Sequence, residues 1–281
     1  MGFTLKLKNI LIINIMKIYL IGDIGDYNQQ TTKIINNIKK EIKEDDNIVF
    51  LGDNFYPFGV KSITDPKWND FKNFDIQNQV WTILGNHDYL GNIDAQLEFN
   101  LKNWNMPNYF YKKTFSNYDF FFIDTSILLP NYSNINYQIV KSKLNRDPMQ
   151  VSKDMIEWLE EELTNSNNKK FILGHYPLFS FGIYGINKGL FDILFPIFKK
   201  YNVKYYISGH DHNLQIIDVS AENYVMKQII SGGGSQTYPL LKDAPDKAFS
   251  KLGCVVVNIK DEVIEIKDEN MEILYKEPIL T

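Results

Sequence analysis

The sequence predicts an α/β sandwich, and three observations predict it. Short β-rich runs alternate with helix-period segments through the first two thirds of the chain. The last third is mostly strand-like. Almost every apolar run in the first part breaks off into a polar, glycine-bearing loop.

Taken in order, residues 17–22 read as a strand and 29–44 as a helix with Ile34, Ile35, Ile38 and Ile42 on one face. Residues 48–52 read as a strand again, which completes a βαβ unit. The pattern of an apolar strand running into a polar loop recurs at 80–84, 118–125, 170–174 and 203–208. A helix over 152–164 carries Met155, Ile156, Leu159 and Leu163 at helical spacing, with Glu160, Glu161 and Glu162 on its solvated half. Residues 214–219, 224–231, 251–259 and 263–266 read as short strands that complete a second sheet. No repeat or linker divides the chain. Residues 17–281 are expected to form a single catalytic domain, with 1–16 as an N-terminal extension.

Composition narrows the function. A formal net charge of −4 provides no basic footprint for nucleic acid, so any anion must be caught locally. The single cysteine, Cys254, is expected to be a buried apolar side chain. Lys6, Lys8 and the apolar run 10–16 have the outline of a short secretory signal, but Asn14 and Lys17 break it and no small-residue cleavage site follows. No apolar stretch is long enough to span a bilayer. An intracellular monomer is the expectation, with a secreted or lysosomal location left open.

The chemistry sits at five strand-to-loop junctions: GDIGD from Gly22, GDNFY from Gly52, GNHD from Gly85, GHYP from Gly174 and GHDH from Gly209. In open α/β sheets, ligands bind beyond the carboxyl ends of the strands. The chain has four histidines, His87, His175, His210 and His212, and all four fall in these junctions. One histidine alone is more often a core or surface residue than a ligand, but four at strand ends reverse that expectation. Asp23 and Asp53 supply the oxygen ligands that water-activating ions take alongside imidazole. An aspartate after a strand is otherwise most often a cap or turn residue. Tyr56 binds a metal well only as phenolate, which a trivalent cation enforces.

With these motifs in order, the chain resembles the calcineurin-like metallophosphoesterases and, within them, the purple or tartrate-resistant acid phosphatases. Supporting stretches are GNIDAQLEF from Gly91, WNMPNYFY from Trp104, IDTS from Ile123 and WLEEEL from Trp158. The resemblance implies a four-layer αββα sandwich of two mixed β-sheets flanked by helices, with a dinuclear site at one end of the sheets. It makes Asp23, Asp53, Tyr56 and His212 ligands of Fe(III). It makes Asp53, Asn86, His175 and His210 ligands of a divalent Fe, Zn or Mn. His87 would touch the substrate phosphate. Asp88 is either the group that orients the His87 imidazole or a simple turn cap.

One departure stands out: the animal enzymes have a second substrate-facing histidine where this chain has Tyr184. A phenol is a poor proton donor in acid, so leaving-group protonation is in doubt and activated esters are favoured. The segment 126–151 falls where those enzymes carry a protease-sensitive loop. It contains Lys141, Lys143 and Arg146.

The implied function is an acid phosphatase in which paired ions activate water and clamp the phosphoryl group of a small phosphate monoester or a phosphoprotein. Two alternatives remain. One is a Mn- or Zn-dependent phosphodiesterase or nucleotide hydrolase on the same fold, and the other is a scaffold that binds without catalysis.

Overall fold

The computed structural model describes residues 16–128, 135–144 and 146–280. The first elements are β1 (Lys17–Ile21), α1 (Gln29–Glu41), β2 (Asn47–Phe50), α2 (Trp68–Asn73), β3 (Val80–Thr82), α3 (Asp94–Leu97) and β4 (Trp104–Asn105). Next come β5 (Tyr111–Phe115), β6 (Tyr118–Phe122), α4 (Ile135–Lys143), α5 (Pro148–Asn165), β7 (Lys169–Leu173), α6 (Lys188–Lys200) and β8 (Tyr205–Ser208). The chain closes with β9 (Leu214–Ala221), β10 (Tyr224–Ser231), β11 (Ala248–Phe249), β12 (Gly253–Asn258), β13 (Val263–Asp268) and β14 (Ile273–Pro278).

These strands make two seven-stranded mixed sheets, ordered β14-β13-β12-β1-β2-β3-β4 and β11-β9-β10-β8-β7-β6-β5. Three apolar clusters define four layers. One lies between the sheets and joins Ile18, Leu20 and Val255 of the first to Phe120, Phe171 and Ile229 of the second. Another packs Ile34, Ile35 and Ile38 of α1 and Trp68 and Phe71 of α2 on the outer face of the first sheet. The third packs Met155 and Leu159 of α5 and Leu190 and Leu194 of α6 on the second. Each fully buried isoleucine or leucine contributes roughly 1.5–3 kcal/mol relative to exposure. Cys254 is buried in the α1 cluster.

The expectation that the strands of the last third complete a second sheet holds for only some of them. β9 and β10 join the second sheet, but β12 pairs antiparallel with β1 and carries β13 and β14 into the first. Two helix boundaries also move, each for a local reason. α5 starts at Pro148 because Asp147 caps it, accepting from Met149 N, and proline suits the first helical position. α1 stops at Glu41 because the Asp46 carboxylate accepts from Lys43 N at 2.8 Å and Lys17 N at 2.7 Å, drawing the chain into a turn. Within the segment 126–151, residues 129–134 and 145 lie outside the described residues, as do 1–15 of the N-terminal extension. In the rest, α4 occupies part of the segment, with Val140 and Leu144 buried in the core and Lys141 and Arg146 exposed.

β1, β2 and β3 run parallel, as do β6, β7, β8 and β10, so their carboxyl ends gather at one edge of each sheet. There the sheets are stitched together. Gly22 N donates to Ser231 O at 2.7 Å, and Ser231 Oγ donates to Leu20 O at 2.7 Å.

Candidate metal centre

Asp23, Asp53 and His210, each the first or second residue after a strand–glycine junction, have φ of 61°, 53° and 67°. The left-handed region is uncommon for residues other than glycine, and side chains held there cluster at functional sites. Neighbouring glycines make room for them. A Cβ at Gly85 would lie 2.2 Å from Asp53 Oδ1, and one at Gly209 would lie 2.7 Å from Asp23 Oδ2. Backbone amides fix both carboxylates: His87 N donates to Asp53 Oδ1 at 2.8 Å, and His210 N to Asp23 Oδ2 at 2.7 Å.

Two groups of donor atoms result, both buried or nearly so. In the first, Tyr56 Oη lies 3.1 Å from Asp23 Oδ1 and 3.2 Å from His212 Nε2, and those two are 3.3 Å apart. In the second, His175 Nε2 lies 3.1 Å from Asn86 Oδ1 and 3.5 Å from Asp53 Oδ1. Ligand atoms of Asp23, Asp53 and His175 all fall within 4.8 Å of one another. His210 stands beside the second group, its ring centroid 5.1 Å from that of His175. Ligands about 2.1 Å from one octahedral ion sit roughly 3 Å apart, so these spacings fit metal coordination.

The electrostatics carry the same demand. Burial alone would push His175 down, but the Asp53 carboxylate lifts it to about 9. Burial would raise Asp53, yet His175 and then His87 hold it below the usual carboxylate range. Burial and the Asp23 and Asp53 charges push the Tyr56 phenol far above its ordinary value. Burial, then His175, pushes His210 well down, so it is a neutral imidazole free to ligate. Asp53 and Tyr56 face a pocket of about 340 Å³ whose described lining contains no lysine or arginine, and Asp23 lies against Tyr56. This donor set of carboxylate, phenol and imidazole fits a metal cation.

Around this cradle, His87 lines the mouth with its ring edge-on to Tyr56, and its Nδ1 lies 2.8 Å from Pro57 O. Of the two roles left open for Asp88, the pairing with His87 does not form. Asp88 is fully buried and its carboxylate accepts from Gly85 N at 2.8 Å, Asn54 N at 3.1 Å and Gln96 Nε2 at 2.8 Å. It clamps the GDNFY loop to the GNHD loop and leaves His87 to a backbone carbonyl. Tyr184 lines the pocket, its ring 4.1 Å from that of His210 and still 46 % exposed. Burial and Tyr238 push its phenol up to about 12.

Four neighbours went unread in the sequence. Asp26, Gln236 and Tyr238 line the pocket, the last two from a loop without a readable code. Asp211, the alternate residue of GHDH, turns away from the pocket and takes hydrogen bonds from Ser180 Oγ and Asn213 Nδ2, anchoring the loop that carries Tyr184. The alternation of GHDH was the signal for it.

The calcineurin-like phosphoesterase family model matches residues 16–214. The chain belongs to the calcineurin-like phosphoesterase family. This calcineurin-like phosphoesterase is 32% identical over 204 residues to tartrate-resistant acid phosphatase type 5 of Oryctolagus cuniculus, covering 67% of this chain and 61% of that one. It is 31% identical over 230 residues to purple acid phosphatase 7 of Arabidopsis thaliana, covering 77% of this chain and 68% of the other. It therefore spans about three fifths of the rabbit enzyme's length. Among solved structures, it superposes with a TM-score of 0.75 and 26% identity on a Plasmodium protein described as "GAP50 the anchor in the inner membrane complex", covering 94% of this chain and 88% of that one. Membership implies a dinuclear metal centre.

Proposed function

We propose that the chain is an acid phosphatase that hydrolyses phosphate monoesters at a dinuclear centre. Asp23, Asp53, Tyr56 and His212 hold Fe(III), and Asp53, Asn86, His175 and His210 hold a divalent Fe, Zn or Mn. The observation that carries this reading is the convergence of five strand ends on two donor sets, Asp53 reaching toward both. Bound ions lower the pKa of water and neutralise charge on the phosphoryl group during in-line displacement. The chain's own residues do the rest. Tyr56 becomes a ligand only where a strongly polarising cation overcomes the neighbouring carboxylates, which is the argument for the ferric ion and an acidic optimum.

His87 Nδ1 donates a hydrogen bond to Pro57 O, which fixes the ring at the pocket mouth and leaves Nε2 for a phosphoryl oxygen of the substrate. Tyr184 lines the same pocket, but its phenol holds its proton too tightly to protonate a leaving alcohol. Esters of acidic alcohols are therefore turned over fastest. The test is a visible spectrum of purified protein with a monoester and diester panel. Absorption that disappears in Tyr56→Phe, with acid monoesterase activity, supports the reading. Colourless protein active on diesters with Mn or Zn points instead to the divalent phosphodiesterase.

A second reading is a scaffold that binds without catalysis, favoured by the likeness to the Plasmodium protein described as an anchor. It predicts no turnover of any ester by metal-replete protein.

A further inference from the structure

Residues that ligate through one ring nitrogen of histidine ordinarily fix the other with a hydrogen bond. His175 follows that rule: its Nδ1 donates to Leu51 O at 2.8 Å. His212 does not. Its Nδ1 is buried and meets no hydrogen-bond partner among the described residues. What holds the ring is a face. The Tyr238 ring lies against it with centroids 4.4 Å apart and planes 10° from parallel. The other described ring contacts of His87, His175, His210 and His212 cross at 33° or more. Tyr238 is in turn locked to the residue it covers. Its N–H donates to His212 O at 2.7 Å, and its carbonyl accepts from Ser250 Oγ at 2.8 Å.

We propose that Tyr238 is a positioning residue for His212, its ring face replacing the hydrogen bond that orients a ligating imidazole. The inference rests on His212 being a metal ligand. A flat aromatic surface limits rotation of the imidazole about its χ2 while leaving Nε2 aimed toward Tyr56 Oη and Asp23 Oδ1. The loop 231–246, silent in sequence, thereby acquires a role at the Tyr56 side of the site. The phenol hydroxyl plays no part in this, so phenylalanine should serve equally well.

The experiment is a competitive chelator titration of the full chain with Zn²⁺ alone, read as affinity for each of two equivalents, in wild type, Tyr238→Phe, Tyr238→Leu and His212→Ala. Melting curves of the metal-free proteins control for folding. Tyr238→Leu should weaken one equivalent about tenfold and leave the other unchanged, while Tyr238→Phe keeps both. Iron-loaded protein adds a spectroscopic readout: the visible band should broaden or shift in Tyr238→Leu and persist in Tyr238→Phe. Wild-type affinity and spectrum in Tyr238→Leu would overturn the proposal, as would equal weakening in the phenylalanine and leucine variants. Should Tyr238→Leu fail to fold, Tyr238→Met makes the same comparison. If His212→Ala also retains both equivalents, the metal assignment itself fails, an outcome distinct from the failure of the positioning role.

Discussion

On one side of Asp53, His175 is gripped by backbone and buried hydroxyl: Leu51 O takes its Nδ1 proton, and Thr125 Oγ1 accepts from its amide at 3.1 Å. On the other side, Tyr56, Asp23 and His212 touch one another, Asp23 also accepts from His210 N, and the imidazole has an aromatic face behind it. The first half is braced by hydrogen bonds to the surrounding backbone and hydroxyl. The second is held by the Tyr56 hydroxyl donating to Asp23 Oδ1 and by the aromatic face against His212. The difference teaches that one centre can be pre-organised by two means, and that the two halves should respond differently to mutation and to metal loss.

The largest effect is expected at the carboxylate both halves share. Asp53→Ala should lower kcat/KM on the order of a thousandfold or more and abolish binding of two ions, read by steady-state kinetics and elemental analysis. His175→Ala comes next, with about a hundredfold loss and one ion released; retention of both ions would break the division into halves. Tyr56→Phe should cost roughly tenfold in rate while removing the visible band, since the phenyl ring still packs but no longer ligates. Asp88→Asn should lower stability by about 1–3 kcal/mol through the weakened clamp between two loops, measured by denaturant unfolding. Unchanged stability in this variant would show that Asp88 does not clamp the loops.

The smallest effect concerns the support beneath His175. Burial, opposed by the Tyr89 hydroxyl that donates at 2.6 Å, raises the Asp124 carboxyl to about 7. Its folded value lies above the unfolded one, about 3.9, so its neutral form stabilises the fold fully below that lower pH. That contribution is lost as pH rises through 7. In metal-free protein, Asp124→Asn should therefore gain a few degrees of melting temperature on wild type between pH 4 and pH 7, measured by thermal unfolding. A constant difference across that range would show that Asp124 does not titrate there.

The site was more legible in the sequence than the fold around it, because each junction writes glycine and donor side by side. Asp23, Asp53, Asn86, His175 and His210 could be read locally. Asp88 could not, since adjacency to His87 says nothing about where a buried carboxylate turns once a 3-10 turn begins at that residue. Tyr238 was hidden because its partner is distant in sequence and its loop has no pattern of its own. The strands of the last third are short apolar runs alike in character. Their division between two sheets follows from long-range pairing such as Lys17 with Asn258, which no local periodicity encodes. α6 escaped because Pro196 interrupts an otherwise helical pattern.

Elemental analysis of freshly purified protein tests the central claim most directly. The account predicts two metal ions per chain, one of them iron, both lost in Asp53→Ala. A protein that folds, yet holds one ion or none when offered iron and zinc, would contradict it.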